Sequence, residues 1–156
     1  MSRFQTDLFN VSLQVFEDLG FLLPSTILNE EQKRATLDAG VTVEFSGPAN
    51  GMVLLAVSGQ VLSALAANML GEDLPPPELQ QQDALREVAN VICGNLLPHI
   101  GGPDAVFDIR PPQIGDPRHL RDRIQGQLAA EQLIGVEEGQ AKIQLFLQDG
   151  TSSQEG

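Results

Sequence analysis

The sequence contains one cysteine and two histidines, which restricts the chemistry that it can support. Cys93 has no second cysteine with which to form an internal disulfide bond. A structural zinc site takes about four ligands, and Cys93 with the distant His99 and His119 does not supply them. Cys93 lies beside a helical apolar stripe, where cysteine is usually a small buried hydrophobic residue. The sequence therefore predicts no metal site and no catalytic thiol.

Positive charge is also scarce. The chain has 9 Lys and Arg residues against 21 Asp and Glu residues, a formal net charge of −12. Proteins that bind a nucleic-acid backbone or an anionic membrane surface need a dense positive face. The charge balance argues against both kinds of partner.

Long apolar runs are missing as well. No stretch approaches the roughly 20 apolar residues that a membrane-spanning helix needs, and no apolar segment with a basic flank follows Met1. We therefore expect a cytoplasmic protein. The 156 residues are 42% hydrophobic and 19% charged, which predicts one globular domain over residues 1–148. We expect the polar tail, 149–156, to be disordered.

Hydrophobic periodicity predicts an α+β fold in which long helices pack on a largely antiparallel sheet. The predicted helices are 5–20, closed near Gly20, then 59–70 with Ser58 as N-cap, and 78–97, stopped by Pro98 and Gly101-Gly102. The predicted strands are a hairpin of 41–46 and 52–57 around a five-residue loop, a short strand at 26–28, and further strands at 105–109, 124–134 and 140–148, the last two joined by a turn at 135–139.

The third predicted helix separates its residues into two faces. At about 100° per residue, one face collects the apolar residues Leu85, Val88, Ala89, Ile92 and Leu96. The opposite face collects four residues that we call the ridge: Asp83, Glu87, Asn90 and Gly94. The apolar face is expected to dock on the sheet, which leaves the ridge in solvent.

The ridge permits an ordinary interpretation and a functional one. Exposed Glu87 is a good helix former, and Asp83 near the first turn favours the positive end of the helix. Asn90 and Gly94 are harder to explain, because Asn is a weak helix former and a mid-helix Gly costs about 1 kcal/mol relative to Ala. A glycine at an exposed position lets another molecule approach the backbone closely. The ridge is therefore a candidate partner-binding or catalytic surface.

The run 83–95, DALREVANVICGN, resembles the signature helix of the CheC/CheX chemotaxis phosphatases, in which Glu-x-x-Asn is followed by a Gly-Asn pair. The surrounding elements are similar to that family in the same order: the hairpin 41–57, the helix 59–70, a strand at 106–109 running into Pro111-Pro112, and the closing strand pair through 142–147. The resemblance covers about residues 40–148.

The resemblance implies an enzyme that hydrolyses the aspartyl phosphate of a response regulator such as CheY. In this family Asn90 would orient the attacking water and Glu87 would pair with the regulator's active-site lysine. Gly94 would give clearance for docking, and Asp83 would help to aim the helix or contact the partner. The required Mg²⁺ would belong to the regulator, so no cofactor is expected in this chain.

The resemblance is nearest to CheX, which has a single site and pairs as a homodimer through its sheets. The first helix offers only Asp7 and Asn10, with no Gly-Asn pair after them, so no second site is expected. Two alternatives stay open: a non-catalytic dimeric module that docks a receiver domain, and a structural role like that of flagellar switch proteins. The arginine-rich segment 110–123 is interpreted as a solvated loop with local ion pairs, or as a contact surface for an acidic partner.

Overall fold

A computed structural model of the protein describes residues 3–148. The polar tail, 149–156, lies outside the described residues, so its predicted disorder stays a prediction. The helices are α1 (Gln5–Asp18), α2 (Glu30–Arg34), α3 (Gly59–Leu70), α4 (Glu78–Gly101) and α5 (Pro117–Leu120), the last followed by a 3₁₀ turn at Arg121–Arg123. The strands are β1 (Leu37–Ser46), β2 (Gly51–Ser58), β3 (Asp108–Ile109), β4 (Gln113–Gly115), β5 (Gln127–Val136) and β6 (Gly139–Leu147).

The strands form one antiparallel sheet in the order β3-β1-β2-β6-β5, and β4 pairs with β1 beside β3. Two hairpins build most of it, because β1 turns into β2 and β5 turns into β6. The second hairpin turns at Glu137-Glu138, where Glu137 takes a positive φ of 51°. This arrangement confirms the predicted α+β class.

Helices α1, α3 and α4 cover one face of the sheet and enclose the main core. Val41, Val43 and Phe45 alternate along β1 and point into this core, as their two-residue period predicts. Leu8 and Phe16 from α1, with Leu65 from α3, complete its helical side. The five residues predicted for the inner face of α4 are all buried as well.

The opposite face of the sheet is covered in part by the segment that contains α5. Leu120 packs there against Leu54, Ala56 and Phe146 in a second apolar cluster. Every residue of β2 is therefore buried, because helices cover one of its faces and the Leu120 segment covers the other. The prediction of a solvated loop missed this packing role.

The outer edge of β5 is occupied by side chains and loops. The Gln5 amide donates to the Glu131 carbonyl oxygen at 2.7 Å and accepts from the Glu131 N–H at 3.1 Å. Further along, Ser25 and Gly135 exchange backbone hydrogen bonds of 2.7 and 2.8 Å. These contacts satisfy groups that an edge strand otherwise offers to another chain.

The predicted end of the third helix at Pro98 is wrong, because α4 continues to Gly101. Pro98 has no N–H to donate to the Gly94 carbonyl, which is why proline usually ends a helix. Leu97 and Ile100 are nevertheless buried in the core. Burial of this last turn outweighs the lost hydrogen bond.

Several element boundaries also differ from the predictions. No strand forms at 26–28. The preceding residue, Ser25, makes an isolated β-bridge with Gly135. The strand predicted at 105–109 is only two residues long, and the strand predicted at 124–134 begins at Gln127. The first hairpin loop spans four residues, 47–50, because β2 begins at Gly51. Helix α2, strand β4 and helix α5 were not predicted, since each is at most five residues long and has too few residues to show a period.

Ser58 does not act as the predicted N-cap. Its hydroxyl makes no capping hydrogen bond to α3. Instead, the fully buried Oγ accepts a hydrogen bond of 3.0 Å from the Gln140 N–H. Tertiary packing against β6 has replaced the local capping contact that serine usually makes.

The first helix ends earlier than predicted, at Asp18, and the residue in the left-handed conformation is Phe21 rather than Gly20. A Cβ at Gly20 would lie 2.5 Å from Leu65 Cδ1 and 2.9 Å from the Phe16 carbonyl oxygen. Gly20 is therefore required for close packing against α3. The positive φ of this turn lies on a phenylalanine, Phe21.

Candidate functional site

Helix α4 holds the candidate site because its two faces lie in different environments. The inner face is packed against the sheet and against its neighbours α1 and α3. Buried Cys93 belongs to this side, and burial raises the pKa of its thiol to about 12. The burial confirms the interpretation of Cys93 as a core residue, and the raised pKa favours the protonated thiol.

The four ridge residues lie together on the outer side of α4, as predicted. Asp83, Glu87 and Asn90 are exposed and Gly94 is partly exposed. A Cβ built on Gly94 would meet nothing within 4 Å, so no packing contact requires glycine there. At 1.5 Å rise per residue the ridge runs for about 16 Å along the helix. Their functional roles stay predictions.

The ridge side chains differ in how far they are already engaged. Arg86 Nη1 donates to Asp83 Oδ1 at 2.7 Å, one turn away on the same helix. Within residues 3–148, the side chains of Glu87 and Asn90 make no hydrogen bond or ion pair. A carboxylate and an amide three residues apart are neighbours on a helix surface. Both therefore present unused hydrogen-bonding groups to a partner.

Two grooves flank the ridge on the side of α1. The larger has a volume of about 490 Å³ and lies where the ends of α1 and α3 meet the first half of α4. We call it the upper groove; it is lined by Asp18, Leu19, Phe21, Met69, Leu70, Gln80, Asp83, Ala84 and Glu87. The smaller groove, of about 260 Å³, lies between α1 and the stretch of α4 that carries Val91 and Asn95. Asp83 and Glu87 thus belong both to the ridge and to the upper groove.

Helix α1 runs antiparallel to α4 and holds no free copy of the ridge motif. Asp7 near its start lies beside His99 near the end of α4, with Oδ1 3.3 Å from Nδ1. Asn10 is exposed. The Asp7 carboxylate is therefore already engaged with His99, unlike the Glu87 carboxylate on the ridge.

The arginine-rich segment 110–123 lies on the other side of the sheet from the ridge. Arg110 pairs with Glu44 at 3.5 Å and Arg118 pairs with Asp116 at 2.9 Å. Hydrogen bonds from Arg118 lower the pKa of the Asp116 carboxyl to about 2, so this pair persists into acid. These contacts are the local ion pairs that the sequence predicted. The segment also forms β4 and α5, so it is not a free loop.

Phe21 is the residue near the ridge that sequence reasoning missed. Its φ of 51° is rare for a bulky residue and costs of order 1 kcal/mol. Its side chain is 72% exposed on the rim of the upper groove. Gly20 was the signal in the sequence, but it indicated the turn and not which residue would take the positive φ.

Within residues 3–148, no three His, Cys, Asp or Glu side chains are grouped so that they hold a metal ion. In the same part of the chain, no helix is both long enough and apolar enough to span a membrane.

Comparison with protein families gives a match to the family described as chemotaxis phosphatase CheX, over residues 39–128. The matched range is more than half of the chain and contains the whole ridge. This chain belongs to the CheX family. A comparison with curated protein sequences gives no match.

Solved structures of CheX-family and related proteins share the fold. CheX from Vibrio vulnificus is 16% identical with a TM-score of 0.71, over 94% of this chain and 97% of that one. CheX in the CheX–CheY–BeF₃–Mg²⁺ complex from Borrelia burgdorferi is 14% identical with a TM-score of 0.63, over 92% and 97%. FliY from Thermotoga maritima is 13% identical with a TM-score of 0.57, over 94% and 87%. At these identities the likeness shows a common architecture.

Proposed function

We propose that this CheX-family chain hydrolyses the aspartyl phosphate of a CheY-like response regulator, with Asn90 orienting the attacking water. The observation that carries the proposal is the pair of unengaged side chains, Glu87 and Asn90, on the exposed face of a helix whose other face is locked in the core. Family membership supports the phosphatase class. CheX from Borrelia burgdorferi, which has the same fold, is seen in a complex with CheY.

In this reaction the main contribution of the chain is to position the attacking water. The water oxygen attacks phosphorus, the bond from phosphorus to the aspartyl oxygen breaks, and inorganic phosphate leaves with both water protons. Most of the catalysis in phosphoryl transfer is orientation and charge stabilisation. The Asn90 amide suits the task, because its carbonyl accepts a hydrogen bond from water and adds no negative charge beside the phosphoryl group. Mg²⁺, held by the regulator, would neutralise charge on that group.

Glu87 has the complementary task of binding. A phosphorylation site needs positive groups to balance its charge, and a lysine there would pair with the Glu87 carboxylate. Glu87 and Asn90 are adjacent on the helix, so one docked regulator engages both at once. Asp83 and Gly94 extend the same contact, Asp83 as a polar contact and Gly94 as a point of close approach.

The direct test is the decay of a phosphorylated receiver in the presence of Mg²⁺. Asn90→Ala should slow the catalysed decay by at least about 100-fold, as loss of a preorganised polar group commonly does. Its thermal stability should be unchanged or slightly higher, because Ala is the better helix former. Glu87→Ala should mainly weaken receiver binding. Asn10→Ala on α1 is the matched control and should retain full activity.

The alternative function is a module that docks a receiver without dephosphorylating it. The shared fold of FliY keeps this alternative open, because the architecture is not confined to proteins described as CheX. Binding of a receiver without faster decay would favour it. Full activity of Asn90→Ala would rule out the proposed mechanism while leaving the phosphatase activity in place.

We also propose that the chain is a homodimer that pairs through its sheet. The edge of β5 is occupied at Glu131 and Gly135, as described above. Within residues 3–148, β3 and β4 pair only with β1, so their outer edge is the one that offers backbone groups to a second copy. Sedimentation equilibrium measures the mass directly, and a monomer at micromolar concentration would contradict this part of the proposal.

A further inference from the structure

Phe21 combines two unfavourable features in one residue. It occupies the left-handed region of φ, which bulky side chains rarely adopt, and it exposes 72% of its surface to water. Neither feature contributes to packing of the core. Backbone strain of this kind persists where the surrounding structure imposes it, and it concentrates at functional sites.

The neighbours of Phe21 hold it in this conformation. The Asn68 amide on α3 donates to the Gly20 carbonyl oxygen at 2.9 Å, and Gly20 itself is pressed against Leu65. On the other side, Leu22 is buried and its N–H donates to the Phe16 carbonyl oxygen at 3.1 Å. With both neighbours fixed, the Phe21 ring is held outward at the rim of the upper groove.

The upper groove joins apolar surface to negative charge. Leu19, Met69 and Leu70 supply apolar lining, and Leu70 is half exposed. Asp18 and Glu87 line the same groove, and neither makes an ion pair within residues 3–148. Asp18 is also the last residue of α1, where a negative charge opposes the helix dipole and no basic residue compensates for it.

We propose that the upper groove is a docking site for the receiver domain, with Phe21 as a preorganised apolar anchor. The inference rests on the proposed function and extends it from the ridge to the adjacent surface. The groove receives an apolar side chain of the receiver next to basic groups that face Asp18 and Glu87.

Two observations select the receiver as the occupant. The groove is continuous with the ridge, because Asp83 and Glu87 belong to both, so a partner that reaches Asn90 also covers the groove. A phosphorylation site needs positive groups to balance the phosphoryl charge, and the carboxylates Asp18 and Glu87 in the groove complement a cationic side chain beside that site. Because the backbone on both sides of Phe21 is held in place, little main-chain freedom is lost when its ring binds, which increases its contribution to affinity.

The decisive variant is Phe21→Asn, because asparagine tolerates a positive φ. It should keep or raise the melting temperature while it raises the KM for phosphorylated receiver about tenfold and leaves kcat within about twofold. Phe21→Tyr keeps the ring and should retain the wild-type KM. Val106→Ala, another highly exposed apolar position, which lies beyond the far end of α4, is the control and should change neither constant. Asp18→Asn should weaken the dependence of KM on salt.

The outcomes separate this inference from the proposed function. The assay uses CheY-like receivers of the same genome, phosphorylated with acetyl phosphate and Mg²⁺, and binding is measured with the same receivers bearing beryllofluoride. An unchanged KM in Phe21→Asn, with active wild type, overturns the docking site and leaves the phosphatase intact. If wild type binds a receiver without hydrolysis, weaker binding by Phe21→Asn still supports the groove. No binding of any receiver, or a change only in self-association, overturns the inference.

Discussion

At the scale of single residues, the ridge is not uniform. Asp83 is already held by Arg86, whereas Glu87 and Asn90 have no partner within residues 3–148. The residues proposed to do the chemistry are therefore the two that the fold leaves free. Arg86 would have to share Asp83 with any partner that binds there, which makes Asp83 a weaker contact than Glu87.

Cys93 gives a prediction that depends on pH. Burial raises the pKa of its thiol from 9.0 to about 12, so the folded chain keeps a proton that the unfolded chain loses. Below about pH 9 the thiol is protonated in both states, so this group adds no pH dependence to the stability. Between about 9 and 12 the free energy of unfolding should fall by roughly 1 kcal/mol per pH unit on account of this group.

Urea unfolding of wild type and Cys93→Ala, at a pH below 9 and at one inside this window, measures the contribution. The fall with pH should be smaller in Cys93→Ala, because every other titrating group is common to both proteins. Equal falls in the two proteins would show that the thiol ionises as readily in the fold as in the unfolded chain.

At the scale of the element, α4 works as a rigid support. It is 24 residues long, and its inner face is anchored by buried residues along its length from Ala84 to Ile100. A group on the outer face is thereby held in position relative to the sheet, which is what a site that orients water requires. The continuation through Pro98 lengthens this support by a turn.

Substitutions at Gly94 test whether a docked receiver approaches the helix backbone at this position. Because nothing lies within 4 Å of a Cβ at this position, Gly94→Ala should raise the free energy of unfolding by about 1 kcal/mol. Gly94→Gln should stabilise the helix to a similar extent, since Gln is also a good helix former, but its long side chain should raise the KM for phosphorylated receiver. Thermal unfolding and hydrolysis kinetics, run side by side, check both effects.

Gly94→Ala is the matched control for the bulkier variant. If Gly94→Gln kept the wild-type KM, the receiver would not approach the backbone at Gly94. If instead both variants destabilised the fold, the glycine would serve the structure and not the docking surface.

At the scale of the whole molecule, the two faces of the sheet are covered by different parts of the chain. The helical side carries the ridge and the upper groove, and the other side is covered in part by the Leu120 cluster. Arg110, Arg118, Arg121 and Lys142 lie on or beside that second side, so a notable share of the scarce positive charge is far from the ridge. These cations therefore do not compete with a partner for the carboxylates on the ridge side.

Leu120 should matter for stability and not for activity. Its side chain is 1% exposed and fills the cluster on the outer face of the sheet. Leu120→Ala should lower the free energy of unfolding by about 2–4 kcal/mol, as other buried leucines do. Arg121→Ala, at the adjacent exposed position, should stay within about 0.5 kcal/mol of wild type.

Urea unfolding measures both variants, and hydrolysis at a temperature well below the melting point shows whether the ridge is affected. A large loss of kcat in folded Leu120→Ala would mean that the two faces of the sheet are coupled. A small effect of Leu120→Ala on stability would show that the outer cluster contributes little to the fold.

Much of the fold and part of the candidate site follow from local pattern. The three long helices and the first hairpin were predicted because each is long enough to show its period. The placement of Leu85 and Glu87 on opposite faces of α4 was predicted for the same reason. The short elements α2, β4 and α5 were not, since burial of one residue such as Leu120 leaves no periodic trace.

The sequence by itself determined which residues of α4 face outward, because a helix with a 3.6-residue period and one apolar stripe has a single way to bury that stripe. Only the tertiary structure decided that α1 lies antiparallel beside α4, that Asp7 is engaged by His99, and that Phe21 stands strained at the rim of a groove. Those outcomes depend on contacts between segments far apart in the chain. Gly20 packs against Leu65, 45 positions away, and no local pattern records that contact.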